Sequence, residues 1–376
     1  MTGDIHFLAP LPAMRKRTRL AKMVPVLRAM GYQVRFFGWE RVPGEAREFA
    51  WNADGIQETT LMRGGGYASG KARALYPLWM ASVFWQTLRL RRGKLLFCLG
   101  WETAFPALLA SRLTGSRIVF DDADRFSMIV RLPGIAGRFV TALERWASRH
   151  AELHVIPGFS RYEWRHDKMV VLRNSPLQDD FLVAKQATPS RPDAEIVLYA
   201  NGWIGETRGA PVFLRLLDLS VRRGIDLKIV IAGRVDGDAA PRLISHPRAI
   251  YLGELAQRDA LAWYGACDAV LTFYDPAVPI NRKAESNKWG DAVFFGCPII
   301  VNSEVETAAP LIEAGAAISV PYDDAEGLLD RLSELACGGA SRGDGREAFD
   351  VMKLEFPVYD LQLKDILRRL TSKEHA

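Results

Sequence analysis

Apolar and polar positions along the chain follow two alternating rhythms. Ile5–Pro10 is a short apolar run, Thr18–Met30 repeats apolar residues at helical spacing, Gly31 stops it, and Gln33–Trp39 returns to a strand pattern. The alternation continues through Lys94–Gly100, Ala104–Leu113, Arg117–Asp121, Glu152–Pro157 and Met169–Leu172. Strands that alternate with helices predict a parallel, doubly wound sheet. The polar stretch ATPSRPD at 187–193 carries two prolines and reads as a linker. Beyond it the rhythm restarts with strands at Ile196–Ala200, Leu227–Ala232 and Ala269–Phe273 and a helix near Pro211–Arg223. Two tandem α/β domains are expected, over 1–186 and 194–350. CGGASRGDG at Cys337–Gly345 reads as a surface loop and Val358–Leu370 as a last amphipathic helix, within a tail over 351–376.

Ala74–Leu88 interrupts this pattern with fifteen uncharged residues, among them Trp79, Phe84 and Trp85, between Arg73 and the cluster Arg89, Arg91, Arg92, Lys94. A spanning helix needs about 20 apolar residues, so this segment is too short to cross a bilayer. It is either a core helix with a solvated basic end or a segment that docks at an anionic interface.

Composition narrows the class. At 376 residues, with 49% hydrophobic and 25% charged content, the chain is long enough for two cores and unlike a disordered protein. The four cysteines lie far apart without CxxC spacing, which favours reduced, buried thiols. MTGDIHFLAP has an acid where an export signal carries positive charge, so a cytosolic chain is expected. The net charge of +5 hides a split. Residues 1–190 hold 28 Lys+Arg against 16 Asp+Glu, a net of +12, and the remainder holds 21 against 28, a net of −7. A basic half of this kind points to an anionic, phosphate-rich partner.

The usual enzyme fingerprints are absent. PLPAMRKRT stands where a dinucleotide-binding loop would carry glycines, and neither GxxxxGK[ST] nor HExxH occurs. His6, His150, His154, His166, His246 and His375 form no metal-ligand pattern. The chemistry of two α/β domains is therefore sought on strand-to-helix loops, facing a cleft. Three stand out: VFDDADRFS (Val119–Ser127), NGWIGETRG (Asn201–Gly209) and ESNKWGDAVFFGCPIIVN (Glu285–Asn302).

In the last of these a helix starts near Ser286 and presents unpaired N–H groups and a positive dipole end. Lys288 in its first turn is unfavourable for the helix alone, and a bound phosphate or diphosphate would resolve the conflict. The bland alternative is a lysine that reaches Glu285. Asp291, one turn on, can accept two hydroxyl hydrogen bonds of a ribose, or be a solvated helix acid. In VFDDADRFS, repulsion among Asp121, Asp122 and Asp124 should raise at least one pKa and supply a base, with a DxD metal site or a helix N-cap as rivals.

The run Asn287-Lys288, Asp291, Gly296, Pro298-Ile299-Ile300 resembles the donor-binding signature of GT-B glycosyltransferases. Asp291, Gly296 and Pro298 match family 4 positions, whereas Lys283 falls where that family has a second glutamate. Asn174 in MVVLRNSP matches its asparagine, and after Gly202 the positions of its arginine and Lys-Gly hold Trp203 and Arg208-Gly209. A closer resemblance is to the xanthan-type glucuronosyltransferase family, through Tyr274, Val278-Pro279, Glu285-Ser286, Lys288 and Phe294-Phe295-Gly296-Cys297-Pro298. Asp291 stands where that family has glutamine.

The resemblance implies two Rossmann-like domains of the GT-B fold, with the final helix crossing back to the first domain. It implies that Lys288 and Arg208 hold the diphosphate of a nucleotide sugar, UDP-linked as first choice, with Gly202, Tyr274, Asn287 and Asp291 beside them. Asp124 falls on the catalytic base, with Asp122 ranked second, and neither a bound metal nor another cofactor is implied. Arg15, Arg17, Trp101 and Glu102 are acceptor-binding candidates in the basic domain. The acceptor expected is a polyprenyl diphosphate-linked glycan of surface polysaccharide assembly, met at the inner face of the cell membrane through Arg15–Arg19 and Ala74–Lys94. The xanthan-type likeness implies inversion and the family 4 likeness retention, which the product anomer separates by NMR. Two rival readings stand beside it: a nucleotide-sugar epimerase or hydrolase, marked by donor turnover without acceptor, and a noncatalytic nucleotide or polyanion binder. Nucleic acid is not an expected partner, because no basic and aromatic module of that kind is present.

Overall fold

A computed structural model describes residues 3–51, 55–67, 70–90, 92–130, 132–337 and 346–372. The chain divides into two compact units, Met1–Leu172 with Asp360–Ala376, and Arg173–Tyr359. Each is built on a wholly parallel sheet.

In the first unit the strands are β1 (Asp4–Ala9), β2 (Gln33–Glu40), β3 (Ile56–Arg63), β4 (Leu95–Leu99), β5 (Arg117–Asp121), β6 (Leu153–Ile156) and β7 (Met169–Val171). Their order is β3-β2-β1-β4-β5-β6-β7. The helices used below are α1 (Thr18–Ala29), α2 (Tyr76–Arg89), α3 (Trp101–Thr114), α4 (Phe126–Ile129) and α5 (Gly134–His150). Trp39, Trp79, Leu96, Cys98, Ala107 and Phe120 pack in one core cluster. In the uncharged segment at Ala74–Leu88 the core-helix reading holds for one side. Trp79 and Val83 of α2 are buried, with Trp79 Nε1 donating to Thr103 Oγ1 at 3.1 Å, while Leu78 and Trp85 stay exposed.

The second unit holds β8 (Ile196–Asn201), β9 (Leu227–Ala232), β10 (Ala249–Tyr251), β11 (Ala269–Thr272), β12 (Ile299–Asn302) and β13 (Ala317–Val320), in the order β10-β9-β8-β11-β12-β13. Its helices include α6 (Gln178–Gln186), α7 (Ala210–Arg222), α8 (Gln257–Ala262) and α9 (Asn287–Phe295). Successive strand residues point to opposite faces, and here both faces are covered. Val197, Tyr199, Val270 and Val301 enter one core, and Ile196, Leu198, Leu271 and Ile300 the other. That double burial is why these strands read as continuous apolar runs.

The stretch 187–193 joins α6 to β8 inside this unit, where Ala184 of α6 packs with Leu261 and Ala262 of α8. The division from the first unit falls earlier, at Leu172/Arg173. Cys337 ends the helix Ala325–Cys337, and the remainder of the expected loop at 338–345 lies outside the described residues. The last helix, Tyr359–Ser372, buries Leu363, Ile366, Leu367 and Leu370, and Arg117 Nη2 donates to the Leu370 carbonyl.

Candidate active site

In the second unit the strand order reverses between β8 and β11, so the loops leaving these strands flank the crevice where open α/β sheets bind ligands. The β8 loop is held by a close backbone crossing. Gly202 and Gly233 have φ of 85° and 128°, and a Cβ at Gly233 would lie 2.1 Å from the Gly202 carbonyl oxygen. Only glycine meets both demands. Arg208 then sits at the end of the short helix Glu206–Arg208, its guanidinium 4.7 Å from the Tyr274 ring centroid and 5.8 Å from that of Trp203.

Tyr274 follows β11 and is clamped by Asn302 at the end of β12. Its N–H donates to Asn302 Oδ1 at 2.8 Å, and Asn302 Nδ2 donates to its carbonyl at 3.0 Å. Asn302 is fully buried, a positioning residue that the apolar run IIVN does not announce.

Helix α9 starts as the sequence predicts. Ser286 is its N-cap, with Oγ accepting from the Lys288 N–H at 3.3 Å, and Gly296 ends it in the left-handed region. Gly290 lets the helix approach the preceding chain, since a Cβ there would lie 2.6 Å from the Asn174 carbonyl oxygen. Lys288 Nζ lies 5.9 Å from the Tyr274 ring, and its Cε would be 4.0 Å from a Cβ at Gly202. Arg208, Tyr274, Gly202 and Lys288 are thus brought together. Glu285 accepts from Arg173 Nη1 at 3.4 Å. Neither Lys288 nor Arg208 has an ion pair among the described residues, so two cations share one aromatic ring without a carboxylate. Asn287 is exposed beside them. Asp291 is only 4% exposed. Burial first pushes the phenols of Tyr199 and Tyr264 up, and the Asp291 charge adds to it, next in order at Tyr264 and after Cys267 at Tyr199. The carboxylate read as a ribose ligand or a solvated acid is therefore enclosed among tyrosines.

In the first unit the three acids of VFDDADRFS have separate partners. Asp121 is fully buried and takes Arg19 through both oxygens, at 2.9 and 3.2 Å, while Arg19 Nη1 also donates to the Leu172 carbonyl at 2.8 Å. Arg19 is thereby withdrawn from the basic stretch Arg15–Arg19. Asp122 is buried, accepts from the Tyr162 hydroxyl at 2.8 Å and lies 3.8 Å from His154 Nε2. Asp124 has a side chain 43% exposed, between Arg17 and Arg161 at 3.3 Å each. Of the three it alone reaches solvent, and Arg161 is a partner 37 residues distant that no local pattern signals. Arg15 donates to the Ala50 carbonyl at 3.2 Å.

Trp101 and Glu102 follow β4, and the Gly100 N–H donates to the Asp121 carbonyl at 3.0 Å, which sets them beside the acid loop. Trp101 Nε1 and Glu102 Oε2 are buried without a hydrogen-bond partner among the described residues. The Glu102 carboxyl is raised to about 8 by burial, with repulsion from Asp122 and Glu144 added, against its own backbone N–H and Arg41. The native state therefore binds a proton that the unfolded chain has released, so this contribution to stability is full at acid pH and is lost as pH rises to about 8. Glu102→Gln is expected to flatten the fall of Tm between about pH 5 and pH 8. Parallel Tm curves for the two proteins would remove Glu102 as its source.

Among the described residues no cluster of three His, Cys, Asp or Glu is arranged to hold a metal ion, and no helix is long and apolar enough to cross a membrane.

No protein-family model matches the chain, and no curated protein matches it by sequence. Solved structures match over nearly its full length. Sucrose-phosphate synthase from Thermosynechococcus elongatus superposes with a TM-score of 0.67 at 12% identity, covering 98% of this chain and 100% of that one. Anabaena HepE in complex with UDP gives 0.66 at 12% identity, covering 97% and 99%. The α,α-trehalose 6-phosphate synthase of Burkholderia multivorans gives 0.65 at 11% identity, covering 100% and 99%. These neighbours are GT-B glycosyltransferases, and at such identities the likeness establishes the fold: two doubly wound parallel-sheet units of GT-B type.

Proposed function

We propose that this protein is a glycosyltransferase that takes a sugar from a nucleotide diphosphate donor, UDP-linked as first choice, to a hydroxyl of a lipid-linked glycan. The observation that carries this reading is the pair of carboxylate-free cations, Arg208 and Lys288, around the clamped ring of Tyr274 at the first turn of α9. Two cations and a helix N-terminus suit a diphosphate, and an aromatic ring beside them suits a base or ribose. Support also comes from HepE, a neighbour of the same fold solved with UDP and with UDP-glucose.

In this reading Lys288 and Arg208 neutralise the charge that builds on the departing diphosphate, as electrostatic stabilisation of a leaving group requires. Asn287 and Gly202 line the same place. Asp124 is the group that removes the acceptor proton, with Asp122 second, and Arg17, Trp101 and Glu102 lie near that loop as acceptor contacts, with Arg15 a fourth candidate. The acceptor in this reading is a polyprenyl diphosphate-linked glycan of exopolysaccharide assembly, met at the inner face of the cell membrane, and the net charge of +12 over residues 1–190 is what supports it.

A thermal-shift series with UDP, GDP, ADP and their glucose conjugates tests the donor site. A ligand of the native state stabilises by RT ln(1 + [L]/Kd), so UDP at about 100 Kd should add about 2.7 kcal/mol. The absence of any shift with every nucleotide at millimolar concentration would overturn the reading.

A further inference from the structure

Helix α5 is amphipathic in the usual way on one side only. Val140, Glu144, Ala147 and Ser148 face the unit's interior. At about 100° per residue, Ile135, Phe139 and Ala142 form a stripe on the opposite side. Ile135 is 85% and Phe139 62% exposed, and the preceding segment adds exposed Ile129 and Leu132. Four large apolar side chains are thus open to solvent within eleven consecutive residues, which a soluble surface rarely tolerates without a partner. Arg138, Arg145 and Arg149 form an adjoining stripe, all exposed and none in an ion pair among the described residues. Between α5 and the chain from Ser127 to Leu132 lies a groove of about 600 Å³, whose walls include Val130, Leu132, Val140, Arg138 and Arg145.

We infer that this face of the first unit docks on an anionic lipid bilayer, with Ile129, Leu132, Ile135 and Phe139 entering the acyl boundary and Arg138, Arg145 and Arg149 meeting lipid phosphates. The occupant follows from charge complementarity. An apolar stripe beside a row of unpaired arginines, in a half of the chain with a net charge of +12, matches an apolar interior under a layer of negative phosphate. A protein partner that fitted this face would need acids opposite the arginines and an apolar centre of equal shape; a bilayer supplies both chemistries without shape matching. The inference rests on the reading of a lipid-linked acceptor. It moves the contact from the Arg15–Arg19 stretch, whose Arg17 and Arg19 are held by Asp124 and Asp121, to the α4–α5 face.

Co-sedimentation of the full chain with phosphatidylcholine vesicles, with and without 30% phosphatidylglycerol, tests this. Binding is expected to the anionic vesicles, at least tenfold tighter than to the neutral ones, and to weaken steeply as salt is raised. Ile135→Ser with Phe139→Ser should weaken it tenfold or more at any salt, and Arg138→Gln with Arg145→Gln should remove most of the salt dependence. UDP stabilisation, read on the same variants, serves as the folding control and reports the donor site independently of the vesicles. Equal vesicle binding by all variants would overturn the inference. So would wild-type protein that ignores anionic vesicles, or a concentration-dependent dimer that the serine variant dissociates, which would make this face an interface between two copies of the chain.

Discussion

Asp124→Asn is expected to lower kcat by roughly 10² to 10⁴ while leaving the Kd for UDP within about twofold, because a positioned base contributes about that much and the residue lies in a different unit from the donor-site cations. The substitution is readable as chemistry because of how Asp124 is held. Its ion pairs with Arg17 and Arg161 are partly solvated, and exposed pairs are worth about 0 to 1 kcal/mol each. The folded state should survive. Asp121→Asn is a poor test by comparison, since it strands the buried guanidinium of Arg19, and breaking such a pair costs about 3 to 5 kcal/mol. A folded Asp124→Asn protein that turns over at more than a tenth of the wild-type rate would remove Asp124 from the mechanism and pass the role to Asp122.

Lys288→Ala should raise the Kd for UDP by about 10- to 100-fold, the loss of one charge-assisted hydrogen bond worth about 1.5 to 3 kcal/mol. Arg208→Ala should do the same. The double variant should lose less than the sum, because both cations answer to one diphosphate and interacting sites are not additive. Isothermal titration with UDP and with uridine separates the causes: both variants should bind uridine nearly as well as the wild type does. If the Kd for UDP is unchanged in Lys288→Ala, the lysine is an ordinary surface residue and the first turn of α9 is not a phosphate site.

Much of the architecture was legible in the chain because buried parallel strands must be apolar on both faces. Arg117–Asp121 and Leu227–Ala232 stand where their patterns place them. The strands that escaped notice, β3, β10 and β13, are short or half exposed at or near sheet edges, so little hydrophobic pressure marks them. Ser286 and Gly296 delimited α9 in advance because caps are local chemistry: a hydroxyl for a free N–H, and a glycine for a left-handed residue.

The site divides in the same way. Lys288 was suspect from sequence alone, as a cation in the first turn of a helix, whereas Arg208 was pointed to only by the resemblance to family 4, at the position of its Lys-Gly. The residues that act on them come from distant chain: Asn302 clamps Tyr274 across 28 positions, and Arg173 rather than Lys288 takes Glu285.

By itself the sequence determined two doubly wound α/β units, the helix that begins at Ser286 with a misplaced cation, and a basic first half, since periodicity, capping and charge are properties of neighbouring residues. Only the tertiary structure decided which charges were already spent. Three adjacent acids at Asp121, Asp122 and Asp124 look alike in the chain, yet burial gives the first to Arg19 and the second to Tyr162. Among the described residues Arg208 and Lys288 are left without a carboxylate, and Arg138, Arg145 and Arg149 of α5 are in no ion pair beside exposed Ile135 and Phe139. Ion pairing and solvent access depend on residues scores of positions apart, so they exist only once the sheets have brought those residues together.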